Sequence, residues 1–274
     1  MRSILRALAI GAVAVSTAHA QAIRSTGGLS MSSLPRNDDG STGLVNVGFT
    51  FNLFGLTRSQ VYVNNNGNIT FTQALSTFTP NPIATGNLAI IAPFWADVDT
   101  RNLASGVTQY GAGTVGGRNV FAVNWIDVGY FAQQVNRLNS FQLWLVDRSD
   151  IGAGDFDFEF NYDKITWDTG QASGGSSNGL CENQFSGPAR AGWANGLAAT
   201  FELAGSGVCN AFLDGGPNSL VAGSLNSNVA GRYVFSVRNG VVQPPNVVPE
   251  PSTYVLVATG LAGLAALQRR RRSV

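Results

Sequence analysis

GDFDFEFNYD, residues Gly154 to Asp163, alternates without a break. Phe156, Phe158, Phe160 and Tyr162 fall on one face of an extended chain, and Asp155, Asp157, Glu159 and Asn161 on the other. Successive side chains of a strand point to opposite faces, so this period of two predicts a β-strand with one packed face and one wet face. By default the acidic face is solvated, and its like charges discourage edge-to-edge pairing. Working outward, FQLWLVD (Phe141 to Asp147) and RYVFSVR (Arg232 to Arg238) carry aromatic and branched side chains suited to a pleated surface. LAIIAPFW (Leu88 to Trp95) is a continuous apolar run, the pattern of a strand buried on both faces, interrupted by Pro93. QVYVNNNGNITF (Gln60 to Phe71) places Asn66-Gly67 between two strand-like arms, the composition that a type I′ hairpin turn requires. Clusters of Gly, Asn, Asp and Ser separate these runs, and no long amphipathic helix pattern occurs. The expectation is an all-β fold: a single antiparallel β-sandwich-like domain, flanked by an N-terminal signal peptide and a C-terminal short transmembrane helix.

The flanks are distinct from this body. Arg2 and Arg6 precede the apolar run Ala7 to Val15, and Ala18-His19-Ala20 supplies small residues at the minus-three and minus-one positions. That is a secretory signal peptide over residues 1–20, with cleavage between Ala20 and Gln21. Cleavage removes His19, the sole histidine. Residues 21–248 then hold 11 basic and 15 acidic side chains, a net charge of about −4. A mildly acidic body argues against nucleic acid as a partner, since a phosphate backbone selects a basic face. At the other end, Ser252 to Gln268 is 17 uncharged residues, about 25 Å as a helix and near the lower limit for spanning a bilayer. Arg269 to Arg272 hold its C-terminal side in the cytoplasm and leave the body outside. Pro249 and Pro251 make a stiff, extended element just before it.

Within the body, Arg24 to Thr42 is rich in Ser, Gly, Asn and Asp and reads as a leader arm or an irregular first loop. Asp168 to Gly187 is a long polar loop, and Asn239 to Val247 a proline-stiffened linker. Cys181 and Cys209 close the polar loop region, and in an exported chain with two cysteines a disulfide is the expected state. GAGTVGG (Gly111 to Gly117) matches Gly-x-Gly-x-x-Gly in form. Both of its flanks read as strands, so it is expected to be a glycine hairpin loop instead of a dinucleotide site, which needs a following helix.

A mature chain without histidine has no Ser-His-Asp or Cys-His arrangement, and Gly-x-Ser-x-Gly does not occur. Zinc would find no imidazole and two cysteines expected to pair. The lone lysine, Lys164, reads as a solvated surface residue. Carboxylates remain. Asp97 and Asp99 in PFWADVDTR stand two apart and project from one face if the strand continues, and Asp127 in NWIDVGYF is a third candidate. Three roles stand open for Asp97 and Asp99: capping a turn with Arg101, beginning a calcium site, or serving in a catalytic pair.

At this point the order of motifs matters. VYVNNNGNITF, IAPFWADVDTR, FAVNWIDVGYF, NSFQLWLVD, DFDFEFNYDKITWDTG and AGWANG follow one another in a way that resembles NIDO (nidogen-like) domains, from about Val61 to Gly207. The resemblance implies an extracellular β-rich binding module of the kind found in nidogen and other matrix or adhesive proteins, with no catalytic residue attached. Val248-Pro249-Glu250-Pro251-Ser252, the apolar stretch and the arginines are similar to the PEP-CTERM sorting signal of exopolysaccharide-producing Gram-negative bacteria. That resemblance implies an exosortase as a partner, recognising Pro249, Glu250 and Pro251. The expected organisation is a signal peptide (1–20), an N-terminal arm (21–42), the nidogen-like domain (43–238), a linker (239–247) and the sorting signal (248–274). The expected function is that of an exported, non-catalytic surface or matrix protein, with an extracellular polysaccharide or matrix protein as ligand and the membrane as a transient stop. The alternative is a secreted enzyme acting on extracellular polysaccharide through Asp97, Asp99 and Asp127.

Overall fold

A computed structural model of the chain describes residues 21–85, 87–183 and 186–244. Fourteen strands occur among these residues. The first seven are β1 (Leu29–Ser33), β2 (Val45–Leu53), β3 (Leu56–Asn64), β4 (Asn68–Thr70), β5 (Ala89–Trp95), β6 (Val98–Asp99) and β7 (Thr108–Val115). The rest are β8 (Arg118–Tyr130), β9 (Gln134–Asp147), β10 (Phe156–Lys164), β11 (Arg190–Asn195), β12 (Thr200–Glu202), β13 (Arg232–Arg238) and β14 (Val241–Val242). They form two antiparallel sheets. The first has the order β1-β7-β8-β9-β10-β13-β14, with β6 also paired to β8; the second has the order β12-β11-β5-β4-β3-β2.

The inward faces follow from the alternation. Phe156, Phe158, Phe160 and Tyr162 of β10 are all buried. Phe158 stacks on Phe235 of β13 with ring centroids 4.7 Å apart. Other aromatic pairs bridge the sheets: Phe51 to Phe156 at 5.3 Å, Phe94 to Phe141 at 5.1 Å and Phe201 to Phe235 at 5.6 Å. Each such pair adds about 0.5–1.5 kcal/mol beyond the area it buries.

The outer face of β10 departs from expectation. It is not a solvated edge, because β10 lies between β9 and β13. Glu159 and Asn161 are buried, and Asp157 is ion-paired with Arg148 and Arg238. The segment before β1 crosses this face: the Arg24 guanidinium pairs with Glu159, and Gln142 exchanges hydrogen bonds with the Arg24 backbone at 3.0 Å in each direction. Arg232 donates to the carbonyls of Gln21 and Ala22. A strand face with unpaired carboxylates is costly to cover. Here Arg24 arrives with the covering segment, and Arg148, Arg232 and Arg238 converge from neighbouring parts of the sheet, so the carboxylates are paired.

LAIIAPFW becomes β5, whose seven residues are all buried, between β4 and β11. Pro93 has no N–H for the ladder, and the register to β11 shifts opposite it, between Arg190 and Gly192. In GAGTVGG only Gly116 and Gly117 turn, both with positive φ, joining Val115 to Arg118. Gly111 and Gly113 lie inside β7, where a β-carbon would sit 2.3 Å from the Ser30 carbonyl oxygen and 2.1 Å from that of Gly28. Those glycines let β1 pack close.

The expected signal peptide and the sorting signal with its short helix, including Ala20, Pro249, Glu250 and Pro251, lie outside the described residues. Among the described residues no helix is long and apolar enough to cross a membrane.

Candidate functional site

The Asn-Gly turn does not form an exposed two-residue hairpin loop. Asn64 pairs with Asn68, so the loop has three residues, and only Gly67 of it has positive φ. The tip is buried against β5, where the Phe94 N–H donates to the Gly67 carbonyl at 3.3 Å. Burying a row of asparagines requires a partner for each amide. Asn64 donates to Asn68 at 2.7 Å and to Thr70 at 3.1 Å. Asn65 donates to the carbonyls of Asp38 and Val98, and its own carbonyl accepts from the Trp125 indole at 3.0 Å. Asn66 donates to an Asp39 carboxylate oxygen at 2.8 Å and accepts from the Val98 N–H at 3.0 Å.

This network gathers two connections that cross between the sheets. The loop from β1 to β2 brings Asp38 and Asp39, and the two residues between β5 and β6 bring Asp97. One carboxylate oxygen from each of Asp38, Asp39 and Asp97 lies within 4.8 Å of the others, the one such grouping of acidic, cysteine or histidine ligands among the described residues. Asp97 is 2 % exposed. Its Oδ2 and the Oδ1 of Asp38 are buried with no hydrogen-bond partner. Burial, reinforced by the neighbouring carboxylates of Asp38, Asp39 and Asp99, pushes the Asp97 carboxyl up to about 8. Burial and Asp99 likewise raise Asp38 to about 6.

Asp99, two residues on, is differently engaged. Its carboxylate grips Arg101 through Nε at 2.9 Å and Nη2 at 2.6 Å, and accepts from the backbone N–H groups of Arg101 and Gln133. Arg101 also reaches Asp38 at 2.9 Å. Asp97 and Asp99 are therefore split: one turns to the β1–β2 loop, the other to an arginine. Asp127 joins neither. It lies on the surface with positive φ at a register shift of β8, paired with Lys164 and Ser140, and the lysine hydrogen bond holds its carboxyl below the usual range.

A second polar centre went unread in the sequence. Asp168 is buried, and its carboxylate accepts from the Asn210 N–H at 2.7 Å, the Cys181 N–H at 3.2 Å and the Thr169 hydroxyl at 2.9 Å. These bonds seat the loop closed by the Cys181–Cys209 disulfide, whose Cα atoms are 5.1 Å apart. Burial raises the Asp168 carboxyl against the pull of these donors. All five tryptophans are buried, so none offers an exposed ring to a sugar.

Comparison with known proteins gives two family matches. The family described as NIDO related matches residues 14–195, and the PEP-CTERM protein-sorting motif matches residues 247–272. Alpha-tectorin of Mus musculus is 33% identical over 238 residues, covering 77% of this chain and 10% of that protein. Alpha-tectorin of Homo sapiens is 32% identical over the same length and the same shares. Nidogen of Drosophila melanogaster is 25% identical over 226 residues, covering 74% of this chain and 15% of that protein. The chain thus spans between 10% and 15% of the length of these curated relatives. No solved structure matches.

Proposed function

The chain belongs to the NIDO-related family and is an exported protein with a nidogen-like domain, and from this we propose that it is a non-catalytic surface or matrix protein, sorted by an exosortase. The observation that carries this reading is the position of the sorting motif relative to the last strand among the described residues. Among the described residues the last strand stops at Val242, and Gln243 still bonds to Ser236, whereas the sorting motif begins at residue 247. An exosortase that recognises Pro249, Glu250 and Pro251 therefore acts beyond the last strand and leaves the sandwich whole. In this reading the C-terminal apolar stretch stops the chain in the inner membrane of a Gram-negative bacterium, and processing hands the body to the surface or the extracellular matrix. The body then binds an extracellular polysaccharide or a matrix protein.

The carboxylates bear on the enzyme alternative. Glycoside hydrolysis needs two carboxyl groups facing one another across a sugar-sized gap. Asp99 is held by Arg101, Asp127 by Lys164, and Asp97 is buried. The alternative loses its best residues.

Replacing Pro249-Glu250-Pro251 by three alanines in the producing cell tests the sorting step. Fractionation should show a longer chain retained in the inner membrane, with the released form lost. Unchanged size and release would sink the exosortase reading. The released wild-type form should sediment with purified extracellular polymer of the producing strain, and a form that stays in the supernatant would remove the polysaccharide as ligand.

A further inference from the structure

The end of the sandwich that holds the buried asparagines carries more negative charge than its surroundings neutralise. Asp38, Asp39, Asp97 and Asp99 meet a single guanidinium there, that of Arg101. Arg101 is spent on Asp99 and on one oxygen of Asp38. The second oxygen of Asp38 and Oδ2 of Asp97 are buried and unpartnered, although a buried carboxylate oxygen normally finds a donor. No lysine, histidine or further arginine is among the charges acting on Asp97. A proton would remove one charge, but a neutral carboxyl donates from its own oxygen, and Oδ2 has no acceptor in place.

We propose that Asp38, Asp39 and Asp97 bind a calcium ion, which ties together the two sheet-to-sheet connections at this end of the sandwich. The chemistry of the set is that of a hard cation. All the ligating groups are oxygens, and one oxygen from each lies within 4.8 Å of the others, a spacing that surrounds a single ion. Calcium is preferred to magnesium because it accepts six to eight oxygens in irregular geometry, including carbonyls and waters, whereas magnesium demands near-ideal octahedral ligation. Asp97 forms the floor. Asp38 and Asp39 are half-buried and form the entrance. The Asn65–Gly67 turn backs the site, since Asn66 holds Asp39 and Asn65 holds the Asp38 carbonyl. The site resembles extracellular modules in its few carboxylates, which sets the expected Kd at roughly 0.1–1 mM.

The test uses the full chain, purified in detergent, stripped with a chelator and titrated with calcium chloride by calorimetry. One ion per chain should bind, and at ten times the Kd the unfolding midpoint should rise by about 3–6 °C. Magnesium chloride should bind at least tenfold more weakly. Asp97→Asn and Asp39→Asn should each weaken calcium binding at least tenfold and abolish the rise in midpoint, whereas Asp150→Asn, in an exposed pair with Arg118, should keep both. Asp39→Asn keeps the test sound if the buried substitution fails to fold. Circular dichroism establishes that each protein tested is folded. A folded wild-type chain that shows no calcium binding at 10 mM, roughly ten times the weakest Kd expected, would overturn the proposal. So would binding that survives both aspartate substitutions.

Discussion

Position 67 shows how one residue can tie a turn to a core. Gly67 has φ of +75°, and a β-carbon there would lie 1.8 Å from the Phe94 carbonyl oxygen. Neither the turn nor β5 can retreat, because the buried asparagines on either side are bonded into both sheets. Gly67→Ala should therefore cost about 4 kcal/mol or more, combining left-handed strain with a backbone clash. Gly55 is the control: its φ is +86°, with nothing within 4 Å of the same position. Gly55→Ala should cost only about 1 kcal/mol. Urea unfolding of the two variants checks the contrast, and equal midpoints would show that the turn is not held as described. At the same scale, Asp97 and Asp99 show that spacing in sequence does not set partners. Two residues apart, they answer to an N-terminal loop and to an arginine.

Among the elements, the loop after β10 depends on a covalent closure and a buried carboxylate together. The disulfide joins Cys181 to Cys209, 28 residues apart, and Asp168 takes N–H groups from both sides of it. Closing a loop of that length restricts the unfolded chain by about 3–4 kcal/mol on the loop-entropy model. Reduction with dithiothreitol, or the double substitution Cys181→Ala and Cys209→Ala, should lower the urea midpoint accordingly. Identical unfolding curves for oxidised and reduced protein would exclude that contribution. The outer face of β10 gives a second lesson about elements. Its carboxylates read as solvent-facing, and they become a docking strip once Arg24, Arg148, Arg232 and Arg238 converge on it.

Across the whole molecule, the N-terminal segment is part of the sandwich. Ala22 is buried, and Arg232 donates to the carbonyls of Gln21 and Ala22. A signal peptidase cut after Ala20 keeps each of these contacts, and mass spectrometry of the exported chain should find Gln21 at its N-terminus. A mature chain beginning after Arg24 would contradict this, since it would leave Glu159 without its closest ion partner. The segment leads into β1, whose Leu29 packs against Trp144, Val120 and Ala122, a small apolar cluster outside the main core.

The strands themselves were legible because side-chain alternation is a local property of the extended backbone. GDFDFEFNYD could be assigned to a strand without knowing its neighbours, and so could FQLWLVD and RYVFSVR. The asparagines and the glycine of VYVNNNGNITF marked a turn for the same reason. That this turn would be buried was not legible, because its burial comes from β5 and from the loop carrying Asp38 and Asp39, which lie remote in sequence. Asp38 and Asp39 sat in a polar stretch that looked like a loose arm, and no spacing rule linked them to Asp97, 58 residues on. The sequence alone determined the all-β class, the C-terminal sorting motif and a body without histidine, since each follows from composition, local period or a short motif. Only the tertiary structure decided which carboxylates meet, because chain crossings between sheets bring together charges that local periodicity cannot relate.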